Sequence, residues 1–137
     1  MNWNEKKEKL LSQTSFSVED LHTLVEILRS PDGCDWDRAQ THQSIRDCVI
    51  NEAAEVAEAI EENDPQSMKE ELGDLLFQVI FHSVIGKEQG EFTLQDVVNE
   101  ICKKMIFRHP HVFAGEDKPD WGAIKAAEKA LRAEGKW

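Results

Sequence analysis

Residues 65–89 read PQSMKEELGDLLFQVIFHSVIGKEQ. At about 100° per residue, Leu72, Leu75, Leu76, Phe77, Val79, Ile80, Phe81, Val84 and Ile85 fall on nearly every side of a helix. A helix that is apolar almost all round is expected to be buried on most sides. Pro65 suits the first turn of such a helix, and Gly90 suits its stop just past Gln89. One polar line crosses this apolar surface, made of Glu71, Asp74, Gln78 and His82 at spacings of three and four.

The segment before it repeats at the same period. A helix over about 42–62 has an apolar stripe of Ile45, Val49, Val56, Ala59 and Ile60, with Cys48 beside it. Glu52 lies in the middle of that stripe and Glu55 at its edge, whereas Asp47, Glu58 and Glu61 point to the solvent side. The short Asn63-Asp64-Pro65 connection makes the two helices antiparallel neighbours. Glu52 and Glu55 are therefore expected to face Glu71 and Asp74.

Working outward, residues 3–12 form a short amphipathic helix. Ser17 with Asp20 is a capping box for a helix to about Arg29, ended by Pro31-Asp32-Gly33. Cys34 to Gln40 reads as a loop. Thr93 with Asp96 caps a helix through about Phe107; Arg108 to Pro119 reads as a loop, and Asp120 opens a last helix toward Ala133. Strand signals are nearly absent and the chain has no tyrosine. The expected fold is an all-α antiparallel helical bundle in a single domain, 1–137. A single antiparallel pair cannot cover the largely apolar central helix, so oligomerisation through it is expected, as a homodimer or a dimer of dimers.

Four carboxylates in one space are costly. Two of them about 5 Å apart repel by roughly 3 kcal/mol at an effective dielectric of 20, and the six pairs of a quartet sum to on the order of 10 kcal/mol. That rivals the whole net stability of a typical domain, about 5–15 kcal/mol. A divalent cation removes the cost, and an all-oxygen donor set favours Mg2+, with Mn2+ as a substitute, over zinc. Gln78 and His82 read as buried polar residues satisfied by hydrogen bonds.

Composition excludes other classes. The formal net charge of −11 argues against a protein that grips a nucleic-acid backbone. Cys34, Cys48 and Cys102 form no CxxC pair, which suits free thiols in a reducing compartment. Leu75 to Ile85, the longest apolar stretch, is interrupted by Gln78, His82 and Ser83, and falls short of the roughly 20 residues a membrane span needs. The charged amino terminus does not resemble a signal peptide, so a cytoplasmic protein is expected.

Asn51-Glu52-Ala53-Ala54-Glu55, followed by Glu71-Leu72-Gly73-Asp74, resembles the paired acidic motif of the MazG nucleotide pyrophosphohydrolases. Cys34-Asp35-Trp36-Asp37, Gln40-Thr41-His42, Arg108-His109-Pro110-His111-Val112-Phe113 and Trp121-Gly122-Ala123-Ile124-Lys125 resemble further signatures of that family. The likeness extends over about residues 20–130. It implies a dimerising helical bundle that hydrolyses the α–β phosphoanhydride of a nucleoside triphosphate, releasing a monophosphate and pyrophosphate. Carried over position by position, it makes Glu52, Glu55, Glu71 and Asp74 the Mg2+ ligands and catalytic residues. It assigns substrate binding to Lys104, Arg108, Trp121 and Lys125. The chemistry agrees, since a triphosphate needs cations beyond the metal and an indole stacks on a base. Magnesium is expected to polarise the phosphates and favour in-line attack by water, which one carboxylate of the quartet, with Glu55 as the candidate, orients or deprotonates.

Two positions depart from the family pattern. Asn51 stands where a glutamate is usual, and Phe107 where an arginine often precedes Arg108. The first departure supports an alternative, a non-catalytic bundle of the same descent that binds nucleotide or protein. A di-iron carboxylate bundle needs two Glu-x-x-His repeats on core helices, and only Glu19/His22 fits.

Overall fold

The computed structural model describes all residues, 1–137. Every regular element is a helix, and no residue adopts a strand. In chain order the helices are α1 (Trp3–Leu11), α2 (Val18–Arg29), α3 (Asp35–Ala39), α4 (Arg46–Glu61), α5 (Pro65–Glu88), α6 (Leu94–Arg108), α7 (Pro110–Phe113) and α8 (Trp121–Ala133). They fall into two compact units, Met1–Leu94 and Gln95–Trp137.

In the first unit α4 runs along α5, α2 packs on α5, and α1 and α3 pack on α2. The core is Val25 of α2, Ile45 at the start of α4, and Ile80, Phe81, Val84 and Ile85 of α5. The expected capping box of α2 is present: Ser17 Oγ accepts from the Asp20 N–H at 3.0 Å, and Asp20 accepts from the Ser17 N–H at 2.9 Å. The Ser17 N–H, and after it the Gln13 side-chain amide, hold the Asp20 carboxyl below the usual range. The Asp64 side chain accepts from the N–H groups of Gln66 and Ser67, which fixes where α5 begins. Asn63 supplies the left-handed residue of the α4–α5 turn at φ 55°, and Gly90 closes α5 at φ 71°.

Four expectations need correction. The helix expected from residue 42 starts at Arg46, because Thr41 and Ser44 exchange side chain to backbone bonds and hold a separate turn. The two expected loops each contain a short helix, α3 and α7, too brief to show a period. Ile60 is mostly exposed, at the edge of the stripe whose middle holds Ile45 and Ala59. Finally, α5 is buried on most sides only over its second half. Upstream of Ile80, Leu72, Leu76 and Val79 are 50%, 40% and 42% exposed. The period of α5 records that its surface is apolar, and does not record what covers it.

In the second unit, Arg108 at the end of α6 bonds Glu128 of α8, Arg132 of α8 bonds Glu100 of α6, and Trp137 stands edge-on to Phe107. The expected cap of the last helix is observed, with Asp120 accepting from the Ala123 N–H at 3.0 Å.

Candidate functional site

Antiparallel packing and the short turn bring the two acidic pairs together as the periodicity predicts. One carboxylate oxygen from each of Glu52, Glu55, Glu71 and Asp74 lies within 4.8 Å of each of the others. Glu52 and Glu71 are half-buried, while Glu55 and Asp74 form the exposed rim. The solvent readings of Asp47, Glu58 and Glu61 hold, since all three are exposed.

The cluster is electrostatically frustrated. Glu52 Oε2 and Glu71 Oε2 are shielded from water and have no hydrogen-bond partner. Buried oxygens of this kind are costly unless something pays them a positive charge. Glu71 is pushed up to about 7, first by sharing a hydrogen bond with Glu55, then by burial, and then by the charges of Glu55, Asp74 and Glu52. Burial, followed by the Glu55 hydrogen bond and the neighbouring charges, also raises Glu52. With no cation, a proton held between carboxylates is the available relief. An all-oxygen set with two unpaired buried oxygens fits a hard divalent ion, and lacks the thiolate or imidazole donors that favour zinc.

Gln78 and His82 continue the polar line of α5. The expectation that both are satisfied is half met. His82 Nδ1 shares a hydrogen bond with His42 Nδ1 at 2.7 Å, but His82 Nε2 and Gln78 Oε1 are buried and unpartnered. Burial, and secondarily His42, push His82 below the usual range.

The second unit holds two of the four expected substrate-binding residues side by side. The Arg108 guanidinium lies over the Trp121 ring, 5.2 Å from its centre. Both line a cavity of 370 Å³ together with His109, His111, Lys118 and Pro119. His109 is held by a 2.5 Å bond from Nδ1 to the Met105 carbonyl, and His111 Nδ1 is buried without a partner. Trp121 is half exposed, so it is no core anchor. Lys104, half-buried in α6, and Lys125, exposed in α8, lie outside this lining.

Sequence reasoning gave no role to His42, Glu128, His111 or Lys118. The partners of His42 and Arg108 lie 40 and 20 residues away, beyond any local period. Only the Glu128/Arg132 spacing on α8 is a local signal.

The chain is similar to several known proteins over most of its length. Over 125 residues the chain is 46% identical to the nucleoside triphosphate pyrophosphohydrolase/pyrophosphatase MazG of Thermotoga maritima, covering 89% of this chain and 49% of that one. It is 38% identical over 125 residues to the nucleoside triphosphate pyrophosphohydrolase of Escherichia coli K12, covering 85% of this chain and 48% of the relative. With YabN of Bacillus subtilis it shares 47% identity over 131 residues, covering 90% of this chain and 26% of that protein. The chain thus spans about half the length, or less, of these relatives. No helix is long and apolar enough to cross a membrane. Residues 40–113, which include the whole acidic quartet, match the MazG nucleotide pyrophosphohydrolase domain, and the chain belongs to that family.

Proposed function

We propose that this chain is a cytoplasmic, Mg2+-dependent nucleoside triphosphate pyrophosphohydrolase that clears nucleotides from the pool, with residues 1–137 acting as one catalytic domain. The observation that carries the reading is the quartet. Four carboxylates converge within 4.8 Å, and two of their oxygens are buried without a partner. The names of the Thermotoga and Escherichia relatives support the same activity.

Glu52, Glu55, Glu71 and Asp74 would hold Mg2+, with Mn2+ as a substitute. When bound, the ion would supply charge neutralisation at the phosphates and a lowered pKa for a neighbouring water. Glu55, on the exposed rim, would orient the attacking water or take its proton. The water oxygen forms a bond to the α-phosphorus as the bond from the α-phosphorus to the bridging oxygen breaks. The bonding electrons leave with pyrophosphate, and the monophosphate remains. Arg108 and Lys104 bind phosphate oxygens, Trp121 stacks on the base, and Lys125 adds a further cation. The exposed edge of Leu72, Leu76 and Val79 supports a homodimer or dimer of dimers formed through α5.

The test is pyrophosphate release from a panel of nucleoside triphosphates with and without magnesium. Release is expected only with the metal, and a Glu52→Gln, Asp74→Asn double variant is expected to abolish it. No release by the wild type, or equal release by the double variant, removes the enzyme reading. Asn51, exposed in α4 where the family usually has glutamate, favours the non-catalytic binding bundle as the second reading, and no turnover with retained nucleotide binding is its signature.

A further inference from the structure

Glu128 is the only charged residue among the buried ones, 6% exposed, and both of its oxygens are engaged. Oε1 accepts from Arg108 Nε at 2.7 Å, and Oε2 accepts from Arg132 Nε at 2.9 Å. Arg132 is itself held by Glu100 at 3.2 Å and by the Trp137 ring, 4.3 Å from its centre. Glu128 therefore has a fixed place, set from α8 and from the far end of this chain of charges.

The choice of atom on Arg108 matters. A bond to Nε fixes the rotation of the guanidinium plane while Nη1 and Nη2 take no part in it. The Trp121 ring restrains the same group from its face, and Arg108 lines the cavity shared with His111 and Lys118. Two restraints on one planar cation leave its outer fork set in a single orientation, the geometry that bidentate phosphate binding needs. A residue serving only to link α8 to itself would need the Arg132 bond alone.

We propose that Glu128 is a positioning residue, which orients Arg108 to receive the phosphates of the nucleoside triphosphate. The proposal rests on the pyrophosphohydrolase reading. The Arg108 bond, the largest influence, keeps the Glu128 carboxyl below the usual range, so the clamp is charged throughout neutral pH. A phosphate contact made equally in the ground and transition states acts on KM and leaves kcat nearly alone.

A double-mutant cycle tests it, read as KM and kcat for pyrophosphate release and as Kd for a non-hydrolysable triphosphate analogue, with thermal melts alongside. Glu128→Gln and Arg108→Ala are each expected to raise KM by about tenfold with kcat within about twofold. In the double variant, Glu128→Gln is expected to add less than about twofold to the effect of Arg108→Ala, because a residue acting through another has nothing left to act on. A melt shift from Glu128→Gln with unchanged KM overturns the proposal, as do effects that multiply in the double variant. A wild type that binds the analogue without turnover removes the enzyme reading alone, and the cycle then stands or falls on Kd. A wild type that neither turns over nor binds removes both.

Discussion

The imidazoles of His42 and His82 lie nearly parallel, 4° apart in plane, with their Nδ1 atoms 2.7 Å from each other. Such a bond needs one nitrogen to donate and the other to accept, so it is lost when both rings carry two protons. Burial lowers His82 from its ordinary 6.5, so the unfolded chain takes up this proton first as pH falls. The stability contributed by the neutral ring is complete above about pH 6.5 and is lost as pH falls through that value toward the folded pKa. Urea melts from pH 7.5 to 5.5 should show a declining midpoint that flattens in His82→Phe. An unchanged slope in that variant would rule out His82 as the source.

Glu71 carries the opposite sign. Its folded value is raised from 4.5 to about 7, so the folded state holds a proton that the unfolded chain has released. Without metal, stability is expected to fall as pH rises from about 4.5 to about 7 and to level off above. Magnesium, by replacing that proton, should raise Tm more at pH 8 than at pH 5 and should release protons between those limits. A magnesium-induced shift independent of pH would contradict this.

Removing one charge from the quartet separates stability from activity. Glu52→Gln and Glu71→Gln are each expected to raise the metal-free Tm, since both carboxylates are raised by their neighbours. Each should cut metal affinity by at least about 100-fold, beyond the usual loss for an outer-shell partner. Calorimetric titration with magnesium and melts in a chelator read the two effects. A metal-free Tm that drops in both variants would count against mutual repulsion.

Leu72, Leu76 and Val79 give α5 an apolar edge that a single chain leaves about half exposed. Sedimentation should find a dimer or tetramer, and Leu76→Glu should shift it to monomer with helix content retained. An unchanged mass would place the interface elsewhere.

The quartet was legible in the sequence for a specific reason. Glu52 interrupts an apolar stripe, Glu71 and Asp74 interrupt an apolar helix, and a short turn fixes which pair meets which. Capping residues such as Ser17 and Asp120 likewise declared themselves, because they act on backbone only a few positions away. Pairings that span the fold left no such trace. Neither the parallel rings of His42 and His82 nor the Arg108–Glu128 bond has a local period, and each residue taken singly looks like an ordinary polar side chain. Helices α3 and α7, five and four residues long, are shorter than the window that reveals periodicity.

The turn from Glu62 to Asp64 is the part of the molecule on which the acids depend without touching them. Helices on either side of so short a link have no independent phase. One extra residue between them would rotate α5 by about 100° about its own axis relative to α4. Such a chain would keep every acidic residue and lose their meeting point. Variation in length at this hairpin, even with all four carboxylates retained, is therefore the change that would most directly separate membership of the family from the ability to hold a metal.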